Sequence, residues 1–133
     1  MTRRIVYHGT VESDPPHLQG FPFHAGTRRA AQERIDDEIS HGISVDEPKR
    51  VTASYHAYEI SDDAPMSKRT WQDPMFHQDA KKAVPEHKEN RIYPYTNERE
   101  DRGSTSYVIP SSFVGRHVKH LGVQFKEFYD LEP

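Results

Sequence analysis

The chain has no cysteine, which removes disulfides, thiolate metal sites and a cysteine nucleophile in one step. A reducing, cytoplasmic setting is the expectation that follows. There is no apolar run approaching ~18 residues and no hydrophobic signal core, so neither a membrane span nor an export signal is expected. Neither sign of charge dominates. Eighteen basic and 21 acidic residues leave a formal net charge of -3 and a pI near 6.3. With both signs interleaved and no basic stripe, nucleic acid is not an expected partner. Leu, Ile, Val and Phe together make up only about a fifth of the 133 residues, and mean hydropathy is -0.96. That composition touches the disordered class. The net charge is too low for that class, however, and one Trp, seven Tyr and six Phe supply bulky core anchors. A single domain over residues 1–133 is expected, with a small aromatic core and long polar connections.

Short strands dominate what is present. Arg4-Ile5-Val6-Tyr7-His8 reads as a strand stopped by Gly9, and Gly20 to Ala25 as a second, kept to an edge or a bulge by Pro22. Thr27 is a good N-cap for a helix in which Ala31, Ile35 and Ile39 recur every four residues and which Gly42 closes. Arg28 and Arg29 stand at its positive end, against the macrodipole, an arrangement that suits a pyrophosphate. Val51 to Ile60 reads as a strand without a cleanly apolar face. The polar stretch 61–90 reads as a flap, with a short helix over Asp73 to Ala83 and Trp71, Met75 and Phe76 as anchors. Further on come a brief strand at Arg91-Ile92-Tyr93, a charged loop from Thr96 to Gly103 and a strand at Ser106 to Ile109. A helical turn at Ser111 to Val114 and a strand pair from His117 to Phe128 complete the chain. The fold class expected is α+β.

Three stretches carry the chemistry: Tyr7-His8-Gly9-Thr10, Gly20-Phe21-Pro22-Phe23-His24-Ala25-Gly26-Thr27, and Asn97 through Gly103-Ser104-Thr105-Ser106-Tyr107. In this order they resemble the ADP-ribosyltransferase fold of the poly(ADP-ribose) polymerase and diphtheria-toxin branch, and the similar small domains of phage polyvalent proteins. About a third of the residues carry the likeness directly. The resemblance implies a split β-sheet and NAD as substrate. It also implies transfer of ADP-ribose to a macromolecular acceptor, a host protein if the chain is a phage or mobile-element effector in bacterial cytoplasm. It gives His8 a ribose hydroxyl to bind, Gly9 the nicotinamide carboxamide, Thr10 the adenosine ribose and Phe23 an aromatic wall. Ser106 and Tyr107 occupy the late cofactor strand, and Ala30 or Ala31 permits close packing under the cofactor. The chain departs from the branch at Pro22, where an aromatic is common, and at Ser106, where the branch has its catalytic Glu. Breaking the nicotinamide–ribose bond builds positive charge that a carboxylate must stabilise. Glu100 is the expected substitute, catalytic together with His8, and Glu98 is the second choice. An ordinary ion-pair cluster with Arg99 and Arg102 is the bland alternative for both.

Other readings stay open. NAD hydrolysis without an acceptor needs the same pocket, and RNA 2′-phosphotransferases share the His-Gly-Thr strand. A catalytically inactive binding or inhibitor protein on the same fold fits the missing Glu. His117 and His120 are three apart, but no second pair and no Cys accompany them, so no metal site is expected. No Gly-x-Ser-x-Gly elbow surrounds Ser104 or Ser106, so a hydrolase triad has no basis.

Overall fold

A computed structural model describes residues 3–11, 14–42, 49–68, 70–71 and 91–131. Six strands and one α-helix are present among them. β1 (Arg4–Thr10), β3 (Lys49–Ile60) and β6 (Val118–Leu131) form one antiparallel sheet in the order β1-β3-β6. β2 (Phe23–Ala25), β5 (Thr105–Ile109) and β4 (Tyr93–Thr96) form a second, ordered β2-β5-β4 and also antiparallel. Among the described residues a single antiparallel bridge joins them. Tyr7 N–H donates to the Gly26 carbonyl at 2.7 Å and Gly26 N–H to the Tyr7 carbonyl at 2.9 Å.

The helix α1 (Arg28–Asp37) begins where the sequence places it. The Thr27 hydroxyl accepts the Ala30 N–H at 3.0 Å, and a π-type turn over Glu38–Gly42 ends the segment. Ala31 and Ile35, one turn apart, bury against Ala53 and Tyr55 of β3, with Tyr7 and Ile39 alongside. The opposite face of that sheet supplies Val6, Tyr58, Ile60 and Val118, which pack against Phe23, Ala25 and Ile109 of the second sheet. β3 is therefore covered on both sides, which is why residues 53–58 are all buried and show no polar–apolar alternation. The coarse expectation of α+β in one small domain matches this architecture. No helix among the described residues is long and apolar enough to cross a membrane.

Several boundaries differ from the sequence reading, β3 starting at Lys49 and β5 at Thr105 among them. β1 runs through Gly9 to Thr10, because its pairing with β3 continues as far as Ser54. β2 is shorter than expected and begins only after Pro22; it is a sheet edge. β4 starts at Tyr93 and tolerates Pro94, since it too is an edge strand, and Ile92 instead bridges Met66. The expected strand pair from His117 is one continuous strand, β6, in which Gly122 at φ +91° lies at the register shifts opposite residues 55–58 and makes no turn. The expected helix over Asp73 to Ala83, with Met75 and Phe76, lies outside the described residues. Trp71 does anchor its segment: its N–H donates to the Pro94 carbonyl at 2.8 Å and its carbonyl accepts from Thr96 at 3.0 Å.

Gly9 sets the spacing between β1 and α1. A Cβ there would stand 2.6 Å from the Ala31 carbonyl oxygen and 2.9 Å from Ile35 Cγ1. Gly9→Ala should therefore cost about 1–3 kcal/mol or more as an overpacked contact against backbone. Urea unfolding tests this, and a wild-type midpoint in the variant would mean that strand and helix are not in this contact.

Candidate functional site

The cleft lies where the two sheets part beside their single bridge. From β1 come Tyr7, His8 and Gly9; from β2 and its end, His24, Ala25 and Gly26. From α1 come Ala30, Ala31 and Arg34, and from β4, β5 and the loop between them Tyr95, Asn97, Glu100 and Ser106. The enclosed space is about 30 Å³, enough for one or two waters. His8, His24 and Arg34 also face a second cavity of about 240 Å³, whose other walls include Thr10, Asp14, Phe21, Phe23 and Glu38.

His8 is buried, and its Nδ1 lies 2.5 Å from the His24 carbonyl oxygen. A carbonyl can only accept, so Nδ1 carries the proton and Nε2 is left a bare acceptor. Burial, and then the Arg34 guanidinium, hold the imidazole pKa down at about 3, so it is neutral at physiological pH. The Phe23 ring stands edge-on to it at 6.4 Å. The His24 imidazole Nδ1 shares a 2.9 Å hydrogen bond with the Tyr95 hydroxyl. Arg34 Nε is buried with no hydrogen-bond partner among the described residues, and the Glu38 carboxylate stands 3.4 Å from it.

Ser106 is 2 % exposed, and its Oγ accepts from Asn97 Nδ2 at 3.0 Å. A Cβ on Gly26 would come within 2.3 Å of that Oγ, so Gly26 makes room for the serine. The position that carries Glu in the resembled branch is therefore sealed by packing. Glu100 enters the cleft from the loop instead, whereas Glu98 is exposed and faces Arg102 at 3.5 Å. The ion-pair alternative thus describes Glu98 better than Glu100.

His8, Gly9, Ser106 and Glu100 line one cleft, and Thr10 and Phe23 line the adjoining cavity. Tyr107 does neither; it packs against the core between the sheets. Arg28 and Arg29 also lie off both cavities. They are exposed, and Arg29 pairs with Glu33 at 3.2 Å. The cation at the cleft is Arg34, which sequence reasoning passed over although it lies one turn beyond Ala30 on the same helix face. Tyr95 was also missed, and Asn97, which opens the third motif, was given no role; their two-residue spacing puts them on one side of β4 and its continuation. Among the described residues no group of three His, Asp or Glu is arranged to hold a metal.

A second histidine cluster adjoins the cleft behind Phe23. His56 Nδ1 and His120 Nε2 share a 3.1 Å contact, His17 and His120 rings lie 4.9 Å apart, and His17 Nδ1 meets the Tyr58 hydroxyl at 2.9 Å. Burial, then His120 and His17, lowers His56 to about 4. Burial lowers His17 and His120 as well, with His120 adding to the effect on His17.

Comparison of this chain with family models, with curated proteins and with solved structures finds no match.

Two outcomes follow from the burial. Unfolded imidazoles take up protons near pH 6.5, but His8 and His56 resist until about 3 and about 4. The unfolded state then binds more protons, so stability present above pH 6.5 is lost as pH falls, at about 1.4 kcal/mol per pH unit for each of the two. Urea midpoints should drop clearly from pH 7 to pH 5, and equal midpoints would mean ordinary titration. Ser106→Glu, which restores the resembled motif, should destabilise by about 3 kcal/mol or more through overpacking and a buried charge. Thermal unfolding reads this, and an unaltered Tm would show that position 106 has free space.

Proposed function

We propose that the chain is an NAD-dependent ADP-ribosyltransferase with the split β-sheet of that fold, acting on a macromolecular acceptor, a protein in the favoured case. One observation carries the reading: His8-Gly9, the end of β2 at Gly26, and Glu100 with Ser106 line a single cleft at the split between two sheets.

The residues suit the chemistry. Neutral His8 offers Nε2 to a ribose hydroxyl as acceptor. Glu100 supplies the carboxylate that stabilises positive charge on the ribose as the bond to nicotinamide breaks, and the bonding electrons leave with the ring nitrogen. The acceptor nucleophile then bonds the anomeric carbon and gives up its proton. Arg34, rather than Arg28 or Arg29, is placed for the pyrophosphate. Phe23 walls the larger cavity. A space of about 30 Å³ is narrow for a pyridine ring, and movement of the Glu100 loop would widen it. That same constriction favours the second reading, a protein that keeps the fold and binds without turnover. RNA 2′-phosphotransfer fits less well. Asp14, Glu38 and Glu100 outnumber Arg34 along the two cavities, where a polyanion needs a run of cations.

Incubation with NAD should release nicotinamide, faster when an acceptor extract is added. Glu100→Gln should lower kcat by roughly 10²–10³-fold with a small change in KM, as for removal of one transition-state contact. Release unaffected by Glu100→Gln would exclude Glu100 as the catalytic carboxylate. Tight NAD binding without any release would establish the binder instead.

A further inference from the structure

A carboxylate that works from a loop needs that loop held. Residues 97–104 are gripped from two directions. On the sheet side, Asn97 is 3 % exposed. Its Oδ1 accepts the N–H of Arg99 at 2.9 Å and of Glu100 at 2.8 Å, and its Nδ2 donates to Ser106 Oγ at 3.0 Å. Its main chain closes the loop as well: Asn97 N–H donates to Ser104 at 2.9 Å, and its carbonyl accepts from Gly103 at 2.8 Å. On the helix side stands Asp101, the one non-glycine residue at positive φ among those described (45°). Its carboxylate accepts from the Thr27 hydroxyl at 2.6 Å, and its N–H donates to the Glu33 carboxylate. Arg29 faces the same carboxylate at 3.9 Å. Thr27 thus caps α1 with its acceptor lone pair and holds the loop with its proton.

We propose that Asn97 is the positioning residue of this cleft: it fixes Glu100 in the cleft that His8 also lines, while Asp101 ties the same loop to the first turns of α1. The inference rests on the transferase reading for its catalytic consequence but not for its geometry. An Asx-type side chain is required, because one oxygen must take two successive N–H groups while the other arm reaches Ser106. Alanine removes all three bonds and leaves a buried hydroxyl and two amides to find other partners. Aspartate keeps the two acceptor bonds, and the Ser106 hydroxyl can turn to donate to its second oxygen. Backbone strain at Asp101 is consistent with a loop held in place by its surroundings.

The absence of cysteine gives a direct test. Glu100→Cys places the sole thiol of the chain at the cleft. Maleimide alkylation is compared in Glu100→Cys alone and combined with Asn97→Ala or Asn97→Asp, each under conditions where circular dichroism reports a folded chain. Asn97→Ala should speed alkylation by roughly tenfold or more, and Asn97→Asp by no more than about threefold, as local opening replaces a closed loop. Equal rates in all three would overturn the proposal. The second arm follows nicotinamide release from NAD. Asn97→Ala should lower kcat by about 10²-fold with KM changed by less than about threefold, and Asn97→Ala/Glu100→Gln should be no slower than Glu100→Gln alone. Losses that multiply would mean that Asn97 acts on stability and not through Glu100. If the wild-type chain releases no nicotinamide, the transferase reading falls, and the alkylation rates still decide whether Asn97 holds the loop.

Discussion

Among the described residues, two hydrogen bonds between Tyr7 and Gly26 are the only strand pairing between the sheets, and the cleft lies beside them. Had β1 and β2 continued to pair, one continuous six-stranded sheet would leave no free groups of these two strands turned toward a ligand. The bridge pins the sheets at one point and lets them diverge on either side. Gly26 makes this possible. It supplies the backbone donor and acceptor, and by lacking a Cβ it lets Ser106 seat beneath it. A side chain at that position would separate β2 from β5 at the very end of the smaller sheet.

Charge is handled unevenly across the interior. The histidines that face the core are held neutral by burial, so they serve as hydrogen-bonding aromatics and not as cations. One carboxylate and one guanidinium, Glu100 and Arg34, are left as the charged groups of the smaller cavity. A site with so few charges in a partly dry space makes each of them count for more than it would on the surface. The surface pairs, such as Arg3 with Glu59 and Arg50 with Asp130, are exposed and add little to stability.

The sequence was most legible where a local rule decided the outcome. Thr27 capped its helix, and Ala31 and Ile35 faced the core, because capping and four-residue spacing act within one turn. Tertiary context overrode local pattern elsewhere. β3 lost its alternation because it is covered on both faces. The stretch from His117 to Phe128 read as a strand pair, yet it is one bulged strand whose partner continues past Gly122. In the cleft, His8, Glu100 and Ser106 were found through short motifs. Asn97 opens the third of these motifs but was given no role there, whereas Arg34 and Tyr95 belong to none, and only folding brings them together. Arg28 and Arg29 show the limit of a helix-end argument: the N-terminus of α1 attracts anions in general, but here Asp101 and Glu33 stand nearest it.

The contact at Gly9 has a kinetic meaning. The Ala31 carbonyl and the Ile35 side chain stand so close to the strand there that not even a Cβ fits between β1 and α1. That wall of the cleft therefore has little room to yield, and any widening falls to the opposite wall. For a guest that needs such widening, access depends on how often that segment breathes rather than on how fast a molecule diffuses to the surface, so different guests would differ in their rates of arrival as well as in their affinities.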